Sequence, residues 1–438
     1  MKRLNRLWLS GLVMVVGLAV TQTGTFGAKS SSATPDDNEA IYKELELFEH
    51  ALAIVRSDYV EEPEAKALIY GALKGMLATL DPYSQFLDPD SYNELKVDTE
   101  GAFGGLGIEI TIKDDLLTII SPIDDTPAFR AGLKAGDRIV KIDGQLTRGI
   151  TLLEAVKKLR GKPQTSVTLT IFREKENELK DVALERAIIT IQSVREARLI
   201  EDHIGYVRLS DFREKTTDDL EVALRGLKEQ EMDSLILDLR NNPGGLLDVA
   251  VSVSELFLTR HQVIVSTKGR LRNQNQEMRA GADGIVTDVP LVVLINEGSA
   301  SASEIVAGAI QDHRRGIVMG TKSHGKASVQ TIFPLTDGSA LRLTTSKYFT
   351  PNGRSIHGEG IAPDVVVPLE RPPQEPEKPN EGAELFDRIE TEEPSGTDAG
   401  AGQPSAKKPL DSQLARAVDL LKGIKVYQAE RKLHTAYR

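Results

Sequence analysis

The sequence predicts a multidomain α/β protein, and three patterns in its 438 residues lead to that prediction. Apolar residues recur at helical intervals from Glu39 to about Leu80 in an N-terminal helical region, 39–97, short strands fill 98–188, and β runs alternate with helices in 189–368. A chain of this length accommodates two or three domains. Alternation of strands and helices indicates a mostly parallel sheet, and a series of short strands indicates a smaller β-rich domain. We therefore expect N-terminal helices, a β-rich domain and an α/β core, in that order.

The first 28 residues, 1–28, have the pattern of an export segment. Basic residues cluster in Met1–Arg6, and the strongly apolar stretch Leu7–Val20 follows without a charge. This order is typical of a secretory signal peptide, although Phe26 weakens the cleavage site. The segment is therefore either a signal peptide or an N-terminal anchor, short for a membrane span. Both alternatives predict an exported protein, periplasmic or otherwise extracytoplasmic, and the second anchors it to the inner membrane.

Composition excludes several classes of function. A net charge of −11 argues against nucleic acid as a partner, because phosphate binding needs a basic surface. The chain has no cysteine, which removes disulfides, thiol nucleophiles and Cys-based metal sites. No metal-binding pattern of His and carboxylate residues is visible, and we predict neither a metal nor another cofactor.

The elements of the first half follow in order along the chain. Two amphipathic helices are expected from Glu39 to about Leu80, with a break near Pro63. Four strands and two short helices are expected in 98–188. The strands are Gly107–Ile112, Leu117–Ile120, Gly136–Gly144 and Val167–Ile171, and the helices are Thr126–Leu133 and Thr151–Leu159.

The second half contains the α/β alternation and a distinct tail. Residues 371–410 hold 7 of the 20 prolines and nine acidic residues, which predicts a disordered linker. A C-terminal helix is expected in 411–438. In 189–368 the expected strands are Gly205–Leu209, Leu235–Leu239, Leu291–Ile295 and Gly316–Met319, and the expected helices are Asp218–Lys228, Leu247–Phe257 and Glu304–His313.

Ser301 lies where a predicted buried strand turns into a helix. The apolar run Pro290–Ile295 predicts the strand, and helical spacing begins at Glu304. The free N–H groups and the positive dipole end of a helix stabilise a developing negative charge, which suits a nucleophile. The alternative is a capping box, because Ser301 and Glu304 have Ser-x-x-Glu spacing. The local motif leaves both interpretations open.

Lys326 is the candidate base. The segment Gly320–Lys326 is close to a phosphate-binding loop, but Ala327 lacks the required hydroxyl and a strand, Ser328–Phe333, replaces the required helix. A lysine between small residues and an apolar strand can be buried, and burial favours the neutral form that deprotonates a serine. Gln330, four residues on, is expected on the same strand face, where its amide would orient the lysine. An exposed loop lysine is the alternative.

A glycine turn, Leu239–Leu247, supplies candidate hydrogen-bond donors for a substrate oxygen. Gly244 and Gly245 allow backbone N–H groups to approach a substrate oxygen closely. Together with the N–H of Ala302 they would form an oxyanion hole. The alternative is an ordinary turn with Asn-Pro-Gly punctuation.

Four motifs occur in this order: Asp-Leu-Arg-Asn-Asn-Pro-Gly-Gly (238–245), Gly-Ser-Ala-Ser-Ala-Ser-Glu (298–304), Gly-Lys-Ala-Ser-Val-Gln (325–330) and Tyr-Phe-Thr-Pro-Asn-Gly-Arg-Ser-Ile (348–356). Through them, residues 40–368 resemble the carboxyl-terminal processing (tail-specific) protease family of Ser/Lys peptidases. The resemblance also implies a ClpP/crotonase-like peptidase core.

The resemblance implies roles for the candidate residues. Ser301 matches the family's nucleophile, Lys326 its general base and Gln330 the residue that positions the lysine. Ser299 and Ser303 are alternatives to Ser301, and the family's spacing from serine to lysine favours Ser301. The oxyanion turn is matched by Gly244 or Gly245 together with Ala302.

Residues 98–188 resemble a PDZ domain inserted ahead of the core. Gly104–Ile108 matches the glycine loop whose N–H groups capture a terminal carboxylate beside an added strand. Arg160 lies where related enzymes place an arginine that senses the substrate tail; a solvated cation at a helix end is the alternative. The residues expected to bind the tail are Gly105, Leu106, Gly107, Ile108 and Arg160.

The resemblance implies an exported serine endopeptidase that selects protein substrates by their free C-termini through the PDZ domain and forms an acyl-enzyme. The alternatives are a catalytically resting or inactive PDZ scaffold that binds C-terminal tails, and an acyl-transferring enzyme on a crotonase-like core. Homo-oligomerisation is left open, with a dimer favoured.

Overall fold

The computed structural model describes residues 35–174, 176–368 and 411–436. The export segment 1–28 and the linker 371–410 lie outside the described residues. The described residues divide into two compact units, one ending at Ala72 and the other beginning at Leu73. Within the described ranges, no helix combines the length and apolar character needed to cross a membrane.

The described helices confirm the predicted helical segments. The two N-terminal helices are separated around Pro63, and the third, α3, was not predicted. The bounds are α1 Pro35–Asp58, α2 Ala65–Ala78, α3 Pro89–Glu100, α4 Pro127–Arg130, α5 Leu152–Leu159, α6 Thr216–Glu229, α7 Leu247–Glu255, α8 Ala302–Asp312 and α9 Ser412–Ala436.

The strands fall into three larger sheets and one short ribbon. Their bounds are β1 Gln85–Leu87, β2 Ala102–Gly105, β3 Ile108–Lys113, β4 Leu116–Pro122, β5 Arg138–Ile142, β6 Gln145–Leu146, β7 Ser166–Arg173, β8 Glu178–Glu185, β9 Ala187–Thr190, β10 Val194–Leu199, β11 Ile204–Leu209, β12 Ser234–Asp238, β13 Val263–Gly269, β14 Gln276–Arg279, β15 Leu291–Ile295, β16 Ile317–Gly320, β17 Ser328–Pro334, β18 Ala340–Phe349 and β19 Val365–Val366.

The β-rich region has its own apolar core. Its antiparallel sheet has the order β3-β4-β5-β7-β8, with β6 paired to β5, and β2 and β9 form a separate ribbon. Leu117, Ile139 and Leu169 from this sheet pack with Ala155 and Leu159 of α5. Strand β3 stands at one edge of the sheet, so its outer backbone groups are free to pair with an added strand.

The core contains the predicted, mostly parallel sheet. Its order is β10-β11-β12-β15-β16-β19, and all pairings except β10 with β11 are parallel. Every residue of β12 and β15 is buried, as expected for strands covered on both faces. Helices α6, α7 and α8 cover one face, and α9 packs its Ala417 and Leu421 on the other.

A second, antiparallel sheet was not predicted. It has the order β1-β18-β13-β14, and β17 also pairs with β18. Its strands come from distant parts of the chain, so local periodicity gives no sign that they pair. This sheet carries Gln330 on β17 and Tyr348 on β18 beside the end of the parallel sheet.

Candidate active site

Ser301 is the N-cap residue of α8, immediately after the turn from β15. Its backbone has φ 55° and ψ −113°, a conformation rarely adopted by residues with a side chain. The Glu304 carboxylate accepts a hydrogen bond from the Ser301 N–H at 2.8 Å, which is one half of the predicted capping box. The Glu304 N–H donates to the Ser301 carbonyl at 2.9 Å, and in the part of the chain that the structure describes no hydrogen bond occupies the Ser301 hydroxyl.

Glu304 also connects the Ser301 turn to the loop that carries Lys326. Its side chain is fully buried and accepts four hydrogen bonds, two on each carboxylate oxygen. Oε2 accepts from the N–H groups of Ser301 and Lys326, the latter at 2.9 Å. Oε1 accepts from the Ser323 hydroxyl and the Gly325 N–H, both at 2.6 Å. A single carboxylate therefore fixes the backbone positions of both candidate catalytic residues.

Tyr348 joins the same two loops from the second sheet. Its hydroxyl oxygen lies 2.6 Å from the Lys326 carbonyl oxygen and 3.0 Å from that of Ser301, and it donates its proton to this pair. Burial and the negative charge of Glu304 hold the pKa of Tyr348 well above its ordinary value. The phenol therefore stays protonated and remains a donor.

Lys326 is half-buried and lies near the positive charge of Arg342. Burial lowers the pKa of its amine, and the nearby charge of Arg342 lowers it further. The Nζ atom lies 4.7 Å from the centre of the Tyr83 ring. Among the described residues, no hydrogen bond joins Lys326 Nζ to Ser301 Oγ. The lysine thus has the lowered pKa that a base needs, while its amine rests against an aromatic face.

Gln330 lines the same cavity, and among the described residues no hydrogen bond joins it to the lysine amine. The expectation of a shared strand face does not apply, because Lys326 precedes β17 and a bulge separates Val329 from Gln330. The Gln330 amide donates to the Ser328 hydroxyl at 2.8 Å and lies 3.5 Å from the Thr344 hydroxyl.

The glycine turn lies directly against the candidate nucleophile. A Cβ atom built on Gly244 would be 2.8 Å from both the Ser301 Cβ and the Ala302 nitrogen. The Gly244 N–H already donates to the Asn242 side chain at 2.9 Å. Across the part of the chain that the structure describes, the N–H groups of Gly245 and Ala302 have no recorded acceptor. They are therefore the two donors that remain for a substrate oxygen.

One cavity of roughly 460 Å³ brings the predicted residues together. It lies at the carboxyl end of the parallel strands, where ligands commonly bind in α/β sheets. Its lining includes the six predicted catalytic and oxyanion residues, Gly244, Gly245, Ser301, Ala302, Lys326 and Gln330.

A second, smaller groove of about 90 Å³ lies between β3 and α5. All five predicted tail-binding residues line it: Gly105, Leu106, Gly107, Ile108 and Arg160. The Arg160 guanidinium lies 4.3 Å from the Phe103 ring centre and 3.6 Å from the Asp98 carboxylate on α3. The sequence predictions therefore fall into two distinct clusters, one in the core and one in the β-rich region.

Four residues of the core site were missed by sequence reasoning. For Glu304, the Ser-x-x-Glu spacing revealed only the contact with Ser301. Tyr348 lies inside a recognised motif, but nothing local indicated its contacts. The remaining two are Tyr83, which precedes β1 and is brought to the site by the pairing of β1 with β18, and Arg342, which lies on β18.

Comparisons with known proteins agree with this architecture. The family model for Peptidase family S41 matches residues 203–367, and the model for the PDZ domain matches residues 94–172. The model for the Activating protease CtpB N-terminal domain matches residues 10–91. The carboxy-terminal-processing protease of Bartonella bacilliformis is 44% identical over 403 residues, covering 90% of this chain and 92% of that protein. The carboxyl-terminal-processing protease of a Synechocystis species is 35% identical over 385 residues, with 84% and 88% coverage.

Among solved structures, the photosystem II D1 C-terminal processing protease is 32% identical. The match covers 74% of this chain and 93% of the chain of that protease, with a TM-score of 0.45. The predicted fold class is confirmed by the S41 and PDZ matches together with the mixed α/β architecture. The chain therefore belongs to the carboxyl-terminal processing proteases of peptidase family S41, and it is a serine-type protease with a PDZ domain.

Proposed function

We propose that the protein is an endopeptidase that cleaves protein substrates with a Ser301–Lys326 dyad. The observation that carries the proposal is the single cavity in which Ser301, the low-pKa Lys326 and the two unpartnered N–H groups meet. Lysine needs a lowered pKa to accept a proton from serine, and burial supplies it here.

The neighbouring serines support Ser301 as the nucleophile. Ser299 and Ser303 are fully buried and do not line the cavity. The Ser299 hydroxyl donates to the Leu239 carbonyl at 2.7 Å, and the Ser303 hydroxyl donates to the Asn242 carbonyl at 2.9 Å. Both hydroxyls are engaged in holding the glycine turn, whereas that of Ser301 is available.

In the proposed reaction, Ser301 Oγ attacks the scissile carbonyl while neutral Lys326 accepts its proton. The resulting oxyanion is stabilised by the N–H groups of Gly245 and Ala302. Lys326 then protonates the leaving amine, and an acyl-enzyme forms. Water then gives a proton to Lys326 and attacks the acyl carbon, and the bond from that carbon to Ser301 Oγ breaks. Lys326 returns the proton to Ser301 Oγ, which regenerates the serine and releases the carboxylic acid product.

Cleavage of an unfolded test protein by wild type, Ser301→Ala and Lys326→Ala tests the dyad. We expect activity in the wild type and its loss in both variants, with Ser299→Ala tested beside them as the rival nucleophile. Full activity in Ser301→Ala or Lys326→Ala would rule out the proposed mechanism.

We further propose that the described conformation is a resting state. The Lys326 amine rests on the Tyr83 ring, and the Gln330 amide is bonded to Ser328 rather than to the lysine. Catalytic contacts are often formed only when substrate binds. A tail peptide should therefore increase the rate at which a fluorophosphonate labels Ser301, and an unchanged labelling rate would contradict a resting state.

We also propose that the groove between β3 and α5 selects substrates by their free C-termini. An extended tail would pair with the open edge of β3, and its carboxylate would accept hydrogen bonds from the glycine loop Gly105–Ile108. Amidating the C-terminus of a substrate should slow its cleavage. Equal rates for the free acid and the amide would remove this role from the groove.

Export is proposed from the segment 1–28 alone. The measurement is the mass of the protein recovered from the cell envelope, compared with that of the full chain. A mass lacking about the first 28 residues indicates a cleaved signal peptide, and the full mass in a membrane fraction indicates an anchor. Full-length protein found only in the cytoplasm would overturn export.

A further inference from the structure

The C-terminal helix α9 is connected to the glycine turn through one buried arginine. Arg240 lies four residues before Gly244, just beyond the end of β12, and is 8% exposed. Its guanidinium reaches to the start of α9, 171 positions further along the chain. There the Asp411 carboxylate accepts two hydrogen bonds, at 2.8 Å from Nη1 and 2.7 Å from Nη2. The side-chain oxygen of Gln413 accepts a third, at 3.0 Å from Nη1.

The other side of the guanidinium is held by Asp238. This carboxylate is fully buried and accepts from Arg240 Nε at 2.9 Å and Nη2 at 2.6 Å. It also accepts from the Tyr206 hydroxyl at 2.8 Å. The planar guanidinium of Arg240 thus bridges the Asp238 carboxylate of the sheet and the Asp411 carboxylate at the start of α9. Bidentate pairing of this kind fixes the orientation of the guanidinium as well as pairing its charge.

Movement of Arg240 would move the groups that face the nucleophile. The Leu239 carbonyl, on one side of it, accepts from Ser299. The Asn242 carbonyl, on the other side, accepts from the Ala300 N–H and the Ser303 hydroxyl. The segment 239–245 is therefore attached to the Ser301 turn at both of these points, and Arg240 lies between them.

We propose that Asp411 is a positioning residue of the active site, which holds Arg240 from α9 and thereby keeps the 239–245 turn in register with Ser301. Gln413 supports it, because its amide also donates to the Val367 carbonyl at 2.7 Å and so ties the start of α9 to the end of the core. The proposal rests on the Ser301 chemistry proposed above. It assigns a catalytic contribution to the C-terminal segment that follows the linker.

A purely structural role for Asp411 must be separated from this one. Its Oδ1 also accepts from the Leu414 N–H at 3.0 Å, which caps α9. Asparagine caps a helix as well as aspartate does. It cannot, however, supply a negative carboxylate with two acceptor oxygens to the guanidinium. Asp411→Asn therefore keeps the cap and weakens the contact with Arg240.

The test uses the full chain, with a free-acid peptide substrate and a matched control on the same helix. Lys422→Ala removes ion pairs from α9 to Glu201 and Asp202, at 2.7 and 3.2 Å, without touching Arg240. We expect Asp411→Asn to lower kcat about 10-fold or more, since losing one oxyanion donor outright costs roughly 100- to 1000-fold. KM should stay within about twofold, and Lys422→Ala should resemble the wild type in both constants.

A transition-state analogue supplies the readout that a structural role would not change. A peptide boronate forms a tetrahedral adduct with the serine and occupies the oxyanion site, so its Ki should rise in Asp411→Asn by the factor that kcat falls. If Asp411→Asn does not fold, Arg240→Lys tests the contact from the other side, because lysine keeps the charge beside Asp238 but lacks the fork. We expect the same loss of kcat.

Two outcomes would overturn the proposal. The first is a kcat of Asp411→Asn within twofold of the wild-type value. The second is an equal loss of kcat in Asp411→Asn and Lys422→Ala that parallels the fall in their unfolding midpoints. Ser301→Ala provides the reference for the chemistry itself. Full activity in Ser301→Ala would reject the dyad. An inactive Ser301→Ala beside a fully active Asp411→Asn would reject only the positioning role.

Discussion

At the scale of single residues, the Glu304 side chain makes more hydrogen bonds among the described residues than the side chain of either member of the proposed dyad. Each of its carboxylate oxygens accepts two hydrogen bonds: Oε2 from the Ser301 turn and the Lys326 loop, and Oε1 from two donors on the Lys326 loop. No neutral side chain of similar size offers four acceptor positions, because an amide replaces two of them with donors. The carboxylate therefore sets the separation between the turn of Ser301 and the loop of Lys326.

Glu304→Gln should lose both activity and stability. Its NH₂ group would face two N–H or O–H donors that then lack an acceptor, at a cost of about 1–3 kcal/mol for each buried group. Cleavage rates and urea unfolding measure the two effects. Glu359→Gln, an exposed carboxylate in the neighbouring loop, is the matched control and should behave like the wild type. Wild-type stability in Glu304→Gln would show that its four contacts are dispensable.

The pH dependence of cleavage should report the charge beside Lys326. Activity requires the neutral amine, so it should rise with pH through the lowered pKa of Lys326. Arg342→Met removes a positive charge, which raises that pKa and moves the acid limb of kcat/KM to higher pH.

Arg342→Lys keeps the charge and should leave the profile in place. The measurement is log kcat/KM against pH for the three proteins. A limb that stays fixed in Arg342→Met would mean that Arg342 does not influence the catalytic base.

At the scale of elements, the site forms where the parallel sheet meets the antiparallel one. The β12–α7 turn brings the glycines, the β15–α8 turn brings Ser301, and the loop before β17 brings Lys326. The ends of parallel strands meet at one edge of a sheet, which explains the first two. The third depends on β18, whose Tyr348 holds the Lys326 loop.

Gly244→Ala tests the close approach of the β12–α7 turn to Ser301. The new Cβ would lie 2.6 Å from the Ala300 carbonyl oxygen and 2.8 Å from the Ser301 Cβ, and φ is +98°. Relief of these contacts must displace the turn, so we expect kcat/KM to fall about 100-fold or more.

Gly226→Ala is the matched control for Gly244→Ala. This glycine lies in α6, and its added Cβ would meet nothing within 4 Å. It should keep full activity and gain about 0.4–1 kcal/mol of stability. Wild-type kcat/KM in Gly244→Ala would contradict the packing of the turn against Ser301.

At the scale of the whole molecule, helix α9 buries the second face of the parallel sheet. Ile204, Ile236 and Val292 of the sheet pack with Ala417 and Leu421 of α9. Segments at opposite ends of the core thus share one apolar cluster. The helix contributes to the stability of the peptidase core as well as to the contact with Arg240.

Leu421→Ala should destabilise the core by about 2–5 kcal/mol, because it leaves a cavity at a fully buried position. Val426→Ala removes a side chain that is 63% exposed on the same helix, and its effect should stay within about 0.5 kcal/mol. Urea unfolding of both variants gives the free energies. Equal midpoints would show that α9 does not pack on the sheet in solution.

The sequence by itself determined the family, the fold class and the two clusters of candidate residues. These follow from local information, because apolar periodicity marks β11, β12, β15 and β16 and the helices α6, α7 and α8, and the motifs are continuous segments. Only the tertiary structure decided the second sheet and the contacts of Glu304, Tyr348 and Tyr83. It also decided that the free N–H is that of Gly245 rather than that of Gly244. The contact between Arg240 and Asp411 was decided in the same way. Each of these contacts joins groups that come together only when whole helices and strands pack. The order of residues along the chain does not indicate that packing.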